Sequence, residues 1–121
     1  MADQTAQKQP VSYGDFSKLD LRVAKILDVE PVDGSDKLYK LKIRVGADQR
    51  QIVAGLAEYY APDELLGKKI IILANIEPRT IRGAESDGML LAAVEEKEGK
   101  IAGLSLATVD SDEITDGTAL S

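Results

Sequence analysis

The side chains in this sequence that could do chemistry are mostly cations. Lys40, Lys42 and Arg44 recur at every second position, and in an extended strand that spacing puts all three on one face, opposite Tyr39, Leu41, Ile43 and Val45. Arg50 follows close behind. A row of cations suits the charge-assisted hydrogen bonds that a phosphate backbone accepts. The same row also suits a solvated strand face whose lysines discourage edge-to-edge pairing. Both readings stand at this point.

The chain has no cysteine and no histidine. Disulfides, thiolate metal sites and cysteine nucleophiles are excluded, and the commonest general base and zinc ligand are missing. Only carboxylate or lysine catalysis, or a hard-cation site of Asp and Glu, remains open to an enzyme. Asp33, Asp36, Glu85 and Asp87 fall in loops where such a site would sit, but no metal and no cofactor are expected.

Length and charge narrow the class further. The 121 residues, 44% of them hydrophobic and 30% charged, make one domain with a modest core. No run of about 18 apolar residues exists, and the start MADQTAQKQP lacks the basic flank and apolar stretch of a signal peptide. A soluble, cytoplasmic protein with no membrane partner is expected. The net charge of −6 is unevenly divided: residues 1–84 hold 13 Lys/Arg against 12 Asp/Glu, whereas residues 85–121 hold 2 against 9. The acidic total argues against simple non-specific polyanion binding, yet it leaves room for a local basic face.

The elements that must position these cations follow from periodicity. Residues 1–12 are polar and aperiodic, a disordered or linker lead-in, with Ser12 and Asp15 suggesting one short capped turn. Residues 19–32 alternate as a long strand, with Leu21, Val23, Leu27 and Val29 on one face. A turn at 32–36 leads to the cationic strand 38–45, and 50–53 form a third. Residues 56–66 change period, with Pro62, Asp63 and Glu64 placed where a helix starts and Gly67 where it stops. The apolar run 69–74 is expected to be the central core strand. Residues 76–87 look too polar and too rich in Pro and Gly for regular structure. Further strands are expected over 89–94 and 101–109, joined by a turn at 96–99.

Three strands, one short helix and two or more further strands match an all-β, five-stranded Greek-key barrel of the oligonucleotide/oligosaccharide-binding (OB) type, with the helix between strands three and four. The barrel is expected over 13–109, and added strand structure with a C-terminal extension over 110–121. In such barrels ligands lie on the face of strands two and three, flanked by the loops joining strands one to two and four to five. Those places are Lys40, Lys42, Arg44 and Arg50, residues 31–37, and residues 76–88.

Five blocks in order carry a family resemblance: Asp20-Leu-Arg-Val-Ala-Lys-Ile26, Gly34-Ser-Asp-Lys-Leu-Tyr-Lys-Leu41, Arg50-Gln-Ile-Val-Ala-Gly-Leu56, Asn75-Ile-Glu-Pro-Arg-Thr-Ile-Arg-Gly83 and Ser86-Asp-Gly-Met-Leu-Leu-Ala92. Over about residues 14–121 the chain resembles the tRNA-binding domain family. That family includes the C-terminal domains or beta subunits of methionyl-tRNA synthetases, free-standing structure-specific tRNA-binding proteins and a related export chaperone. The resemblance implies non-catalytic binding of folded tRNA, assisting a methionyl-tRNA synthetase catalytic chain in cis or trans.

On that reading Lys40, Lys42, Arg44 and Arg50 supply phosphate contacts, and Lys37, Arg79 and Arg82 grip from the flanking loops. Asn75 bonds a base edge or holds its own loop. Ser86, Gly88 and Met89 match the family's Ser-x-Gly-Met motif, which offers a hydroxyl, a close backbone approach and a soft apolar surface. The branch most like this chain forms homodimers, for which Ile114 and Leu120 are candidates, docking on their own barrel being the alternative. Met1 and the short lead-in favour a free-standing chain. Glu77 stands where many relatives carry lysine, which weakens phosphate attraction beside Arg79. Four tyrosines and one phenylalanine are few for stacking successive bases, so shape readout is favoured. The chaperone-like protein-interaction module is the competing reading.

Overall fold

The computed structural model describes residues 7–121; the first half of the expected lead-in lies outside the described residues, and residues 7–12 are exposed and without helix or strand. The first regular turn, α1 (Tyr13–Phe16), starts where its cap dictates, with Ser12 Oγ accepting the Asp15 N–H at 3.0 Å. Five antiparallel strands then make one curled sheet in the order β3-β2-β1-β4-β7: β1 (Leu21–Pro31), β2 (Tyr39–Val45), β3 (Asp48–Ala54), β4 (Lys69–Leu73) and β7 (Met89–Leu90). The result is the expected OB-like barrel in an almost wholly β chain.

Alternation works cleanly in β2, where Tyr39, Leu41 and Ile43 are buried and Lys42 is exposed. In β1 the inward face is the reverse of the expected one at the start: Ala24 and Ile26 are buried in the core. A bulge between Ile26 and Asp28 shifts the register by one residue, so Val29 rejoins the core side. Val23 is buried as well, outside the main cluster, where its backbone pairs with residues 117 and 118. The longest strand, β1, occupies the centre of the sheet, and β4 lies between it and β7. An apolar run says that a strand is buried, not which neighbour it has: Ile70 and Ile72 are fully buried, while Ile71 and Leu73 are only half-buried.

The helix is much shorter than its expected span, reduced to α2 (Pro62–Leu65). Pro62 disfavours helical backbone at Ala61, which is extended (ψ 154°), so the chain from Leu56 to Tyr60 closes its own turn, with Leu56 O accepting from the Tyr59 and Tyr60 amides. Leu65 still reaches full burial against the core. Each such aliphatic side chain contributes about 2 kcal/mol by burial.

The stretch expected to be irregular contains a hairpin, β5 (Arg79–Ile81) with β6 (Ala84–Ser86). Arg82 and Gly83 form its two-residue turn, both left-handed at φ 52° and 79°. This hairpin is fastened to β3: Gln51 Nε2 donates to Glu85 O at 2.9 Å, the Asp87 N–H to Gln51 O at 2.8 Å, and the Val53 N–H to Ser86 Oγ at 3.0 Å. A second hairpin, β8 (Ala92–Lys97) with β9 (Lys100–Leu106), turns at Glu98 and Gly99 and brings Leu106 into the core.

The terminal residues return to the barrel as an added strand-like segment. The Gly117 N–H donates to Val23 O at 2.7 Å, the Leu120 N–H to Leu21 O at 2.9 Å, and Arg22 bridges Ala119. Backbone meets backbone so closely here that a Cβ on Gly117 would lie 2.8 Å from Gly46 Cα.

Candidate functional site

Two hollows follow one another across the outer face of the barrel. The first, about 390 Å³, lies over β1, β2 and β3 and is lined by Asp28, Glu30, Lys40, Lys42, Gln49 and Gln51 among others. The second, about 290 Å³, lies between the turn after β1 and the tip of the β5–β6 hairpin, against Asp33, Arg82 and Gly83. Glu30 and Lys40 line both hollows, which therefore form one track. The strand face and the two flanking loops that the barrel topology nominates meet along it.

Four of the expected cations line this track: Lys40, Lys42, Arg50 and Arg82. Lys42 is exposed and has no ion pair among the described residues. Lys40 is half-buried, its Nζ 3.6 Å from Glu30 Oε2 across the β1–β2 register. Arg82 stands exposed at the hairpin tip in left-handed backbone, a conformation that costs a non-glycine residue about 1 kcal/mol. Arg79 is exposed at the start of the same hairpin. Lys37 is exposed on the first loop, which is tied down by its own backbone: Lys37 O accepts the Ala57 N–H at 3.1 Å.

The other expected residues are engaged within the fold. Arg44 grips Asp116 through two hydrogen bonds, Nε at 3.1 Å and Nη2 at 3.0 Å. That bond holds the Asp116 carboxyl below the usual carboxylate range, aided by the Gly46 N–H at 2.9 Å, and raises the Arg44 guanidinium in turn. Arg50 lines the track but donates to Asp48 at 2.9 Å and to the Ala74 carbonyl at 2.5 Å, bracing β3 to the end of β4. Asn75 spends both ends of its amide on the segment before β1, accepting from the Asp20 N–H at 2.9 Å and donating to Lys18 O at 2.7 Å.

Ser86 is buried and bonds Val53 and Gly88, while Gly88 has φ 132° and packs against Ile52 and Leu73. Met89, in β7, keeps 37% exposure and does not line the track. Ile114 (37% exposed) and half-buried Leu120 lie in the terminal segment docked on its own barrel.

Gln49, Gln51, Asp28 and Glu30 were not among the candidates from sequence, yet they line the track. The period of two in β3 carries the signal for the glutamines, which face outward opposite Arg44 and Lys42. Chemically the track offers cations for phosphates, amides for base or sugar edges, and carboxylates that accept from hydroxyl or amino groups. Among the described residues no three carboxylates converge on a point where a metal ion would sit.

The family described as "Putative tRNA binding domain" matches residues 21–114. A methionine-tRNA ligase of Caldanaerobacter subterraneus subsp. tengcongensis is 55% identical over 111 residues, 92% of this chain but only 16% of that protein's length. A methionyl-tRNA synthetase-related protein of Pyrococcus horikoshii is 32% identical in sequence and superposes with a TM-score of 0.83, covering 94% of this chain and all of its own. The chaperone CsaA of Bacillus anthracis superposes with a TM-score of 0.79 at 26% identity, covering 93% of this chain and all of its own.

Proposed function

The chain belongs to the tRNA-binding domain family, and from that premise we propose that it binds folded tRNA without catalysing a reaction. The observation that carries this reading is the placement of Arg82. It is held in costly left-handed backbone at a hairpin tip, beside the Lys40 end of a track whose other hollow holds Lys42. Costly backbone retained at an exposed cation is backbone positioned for a contact. The A-form backbone of a folded RNA is recognised by shape, phosphate and 2′-hydroxyl, and the track offers partners for each.

Bound in this way, tRNA is delivered to a methionyl-tRNA synthetase catalytic chain, in cis or in trans, by raised effective concentration. A second copy of the chain docks through the terminal segment, using Ile114 and Leu120, and the assembly works in the cytoplasm. The link to a synthetase draws support from the methionine-tRNA ligase relatives, of which this chain spans a small part.

A second reading, a chaperone-like interaction module, is favoured by the likeness to CsaA and by Val11, Tyr13 and Leu19, which are 73%, 81% and 47% exposed near the described N-terminal end. Fluorescence anisotropy separates the two. Binding of folded bulk tRNA, duplex DNA and unstructured RNA is measured at about 50 and 200 mM salt, with an Arg79→Ala/Arg82→Ala variant alongside. Preference for folded tRNA, a steep salt slope and loss in the variant support tRNA binding. Equal, feeble binding to all three supports the interaction module instead.

A further inference from the structure

Lys40 is the point at which the two hollows meet, and it does not face them alone. Glu30 lies opposite it in register, its Oε2 3.6 Å from Lys40 Nζ, and lines the same two hollows. The Glu30 side chain is 57% exposed and that of Lys40 35%. A solvent-screened pair of this kind adds little to stability. Its stronger effect falls on a polyanion entering the track, whose phosphates meet a carboxylate at the place where they meet the cation. Asp28 and Asp33 add carboxylates on either side of Glu30 in the track.

Resting on the tRNA-binding reading above, we propose that Glu30 is a specificity-determining residue, which weakens the hold of Lys40 on plain polyanions and so favours ligands that give the carboxylate a hydrogen bond. Duplex DNA presents an even phosphate surface to such a track and leaves the Glu30 charge opposed. A folded RNA presents 2′-hydroxyl and exposed amino donors close to its phosphates, and a carboxylate accepts from either. Repulsion then falls on the wrong ligand while the right one compensates for it, which is how discrimination is gained at some loss of affinity. Electrostatics of this kind alters selectivity and salt dependence more than stability.

The test is the ratio of the duplex DNA to the folded tRNA dissociation constant, measured by anisotropy at about 50 mM salt for the wild-type chain, Glu30→Gln, Lys40→Ala and the double variant. Glutamine keeps the size of the side chain and one acceptor oxygen, replaces the other with an amide donor, and removes its charge. Glu30→Gln is expected to tighten duplex DNA binding roughly three- to fivefold and to lower the ratio by a similar factor, with an unchanged melting temperature. In the Lys40→Ala background the same substitution should move the ratio much less, because the cation it competes for is gone. An unchanged or higher ratio in Glu30→Gln overturns the inference, as does an equal gain for both ligands or an undiminished effect without Lys40. Wild-type binding that does not prefer tRNA over DNA overturns the tRNA-binding reading and this inference together, whereas selective wild-type binding with an unaltered ratio in Glu30→Gln overturns this inference alone.

Discussion

Arg44 on β2 and Asp116 near the end of the chain face each other as a fork and a carboxylate, joined at 3.1 and 3.0 Å. The Asp116 side chain keeps only 11% of its exposure, and its Oδ2 also accepts the Gly46 N–H at 2.9 Å. The last cation of the β2 row is thereby the clasp for the terminal segment. Lys69 adds a second fastening by donating to the carbonyls of Asp112 and Ile114.

Replacing Asp116 with asparagine removes the charge and one acceptor from this clasp. The melting temperature is expected to fall by about 3–6 °C at neutral pH. The sign with pH follows from the depressed carboxyl. A group whose folded value lies below its ordinary 3.8 contributes its full stability above that value and loses it as pH falls through the folded one. Calorimetry across pH 7 to 2 should therefore show a constant gap between wild type and Asp116→Asn down to about pH 5, closing below 3.8. A gap that persists unchanged to pH 2 would contradict the clasp.

Arg50 and Lys42 separate bracing from binding. Arg50→Lys keeps the charge but loses the fork that spans Asp48 and the Ala74 carbonyl, so urea denaturation should show a loss of about 1–2 kcal/mol. The salt slope of tRNA binding should stay as it is. Lys42→Ala should do the reverse: stability within about 0.5 kcal/mol of wild type, and a salt slope smaller by roughly one ion.

Local patterns made the barrel legible, and distant partners decided what its residues do. The alternation of Tyr39, Leu41 and Ile43 against Lys40 and Lys42 is complete within seven residues, and the structure follows it. In β1 the same pattern misleads, because a bulge at Leu27 reverses the face without marking the hydropathy. The β5–β6 hairpin escapes notice because its strands are polar and largely exposed and its turn is Arg-Gly rather than Asn-Gly. Arg44 looks like Lys42 until a carboxylate 72 positions away claims it. The acid beside Lys40 becomes visible only when the β1–β2 register places Glu30 across from it.

Gly88 tests whether the Ser-x-Gly-Met stretch serves the barrel. A Cβ there would lie 3.3 Å from Ile52 Cγ2 and 3.6 Å from Leu73 O, in backbone at φ 132°. Gly88→Ala should cost about 2–3 kcal/mol in urea denaturation. Gly34→Ala is the matched control: φ is 80° but nothing lies within 4 Å, so only the conformational cost of about 1 kcal/mol remains. Equal losses in the two variants would show that packing at Gly88 contributes nothing.

At the hairpin tip, stability and binding should move in opposite directions. Arg82 occupies the first position of a two-residue turn whose preferred occupant is asparagine, because a short polar side chain tolerates left-handed backbone better than a long one. Arg82→Asn keeps the turn and relieves that cost, so the melting temperature should rise by about 1–4 °C. The same change removes the cation that faces the track beside Lys40, so tRNA affinity should fall about three- to tenfold and the salt slope by roughly one ion. Paired melting and anisotropy measurements on one preparation decide the matter. A variant that melts higher and binds tRNA as well as wild type would remove Arg82 from the interface, and one that melts lower would mean that its side chain serves the turn after all.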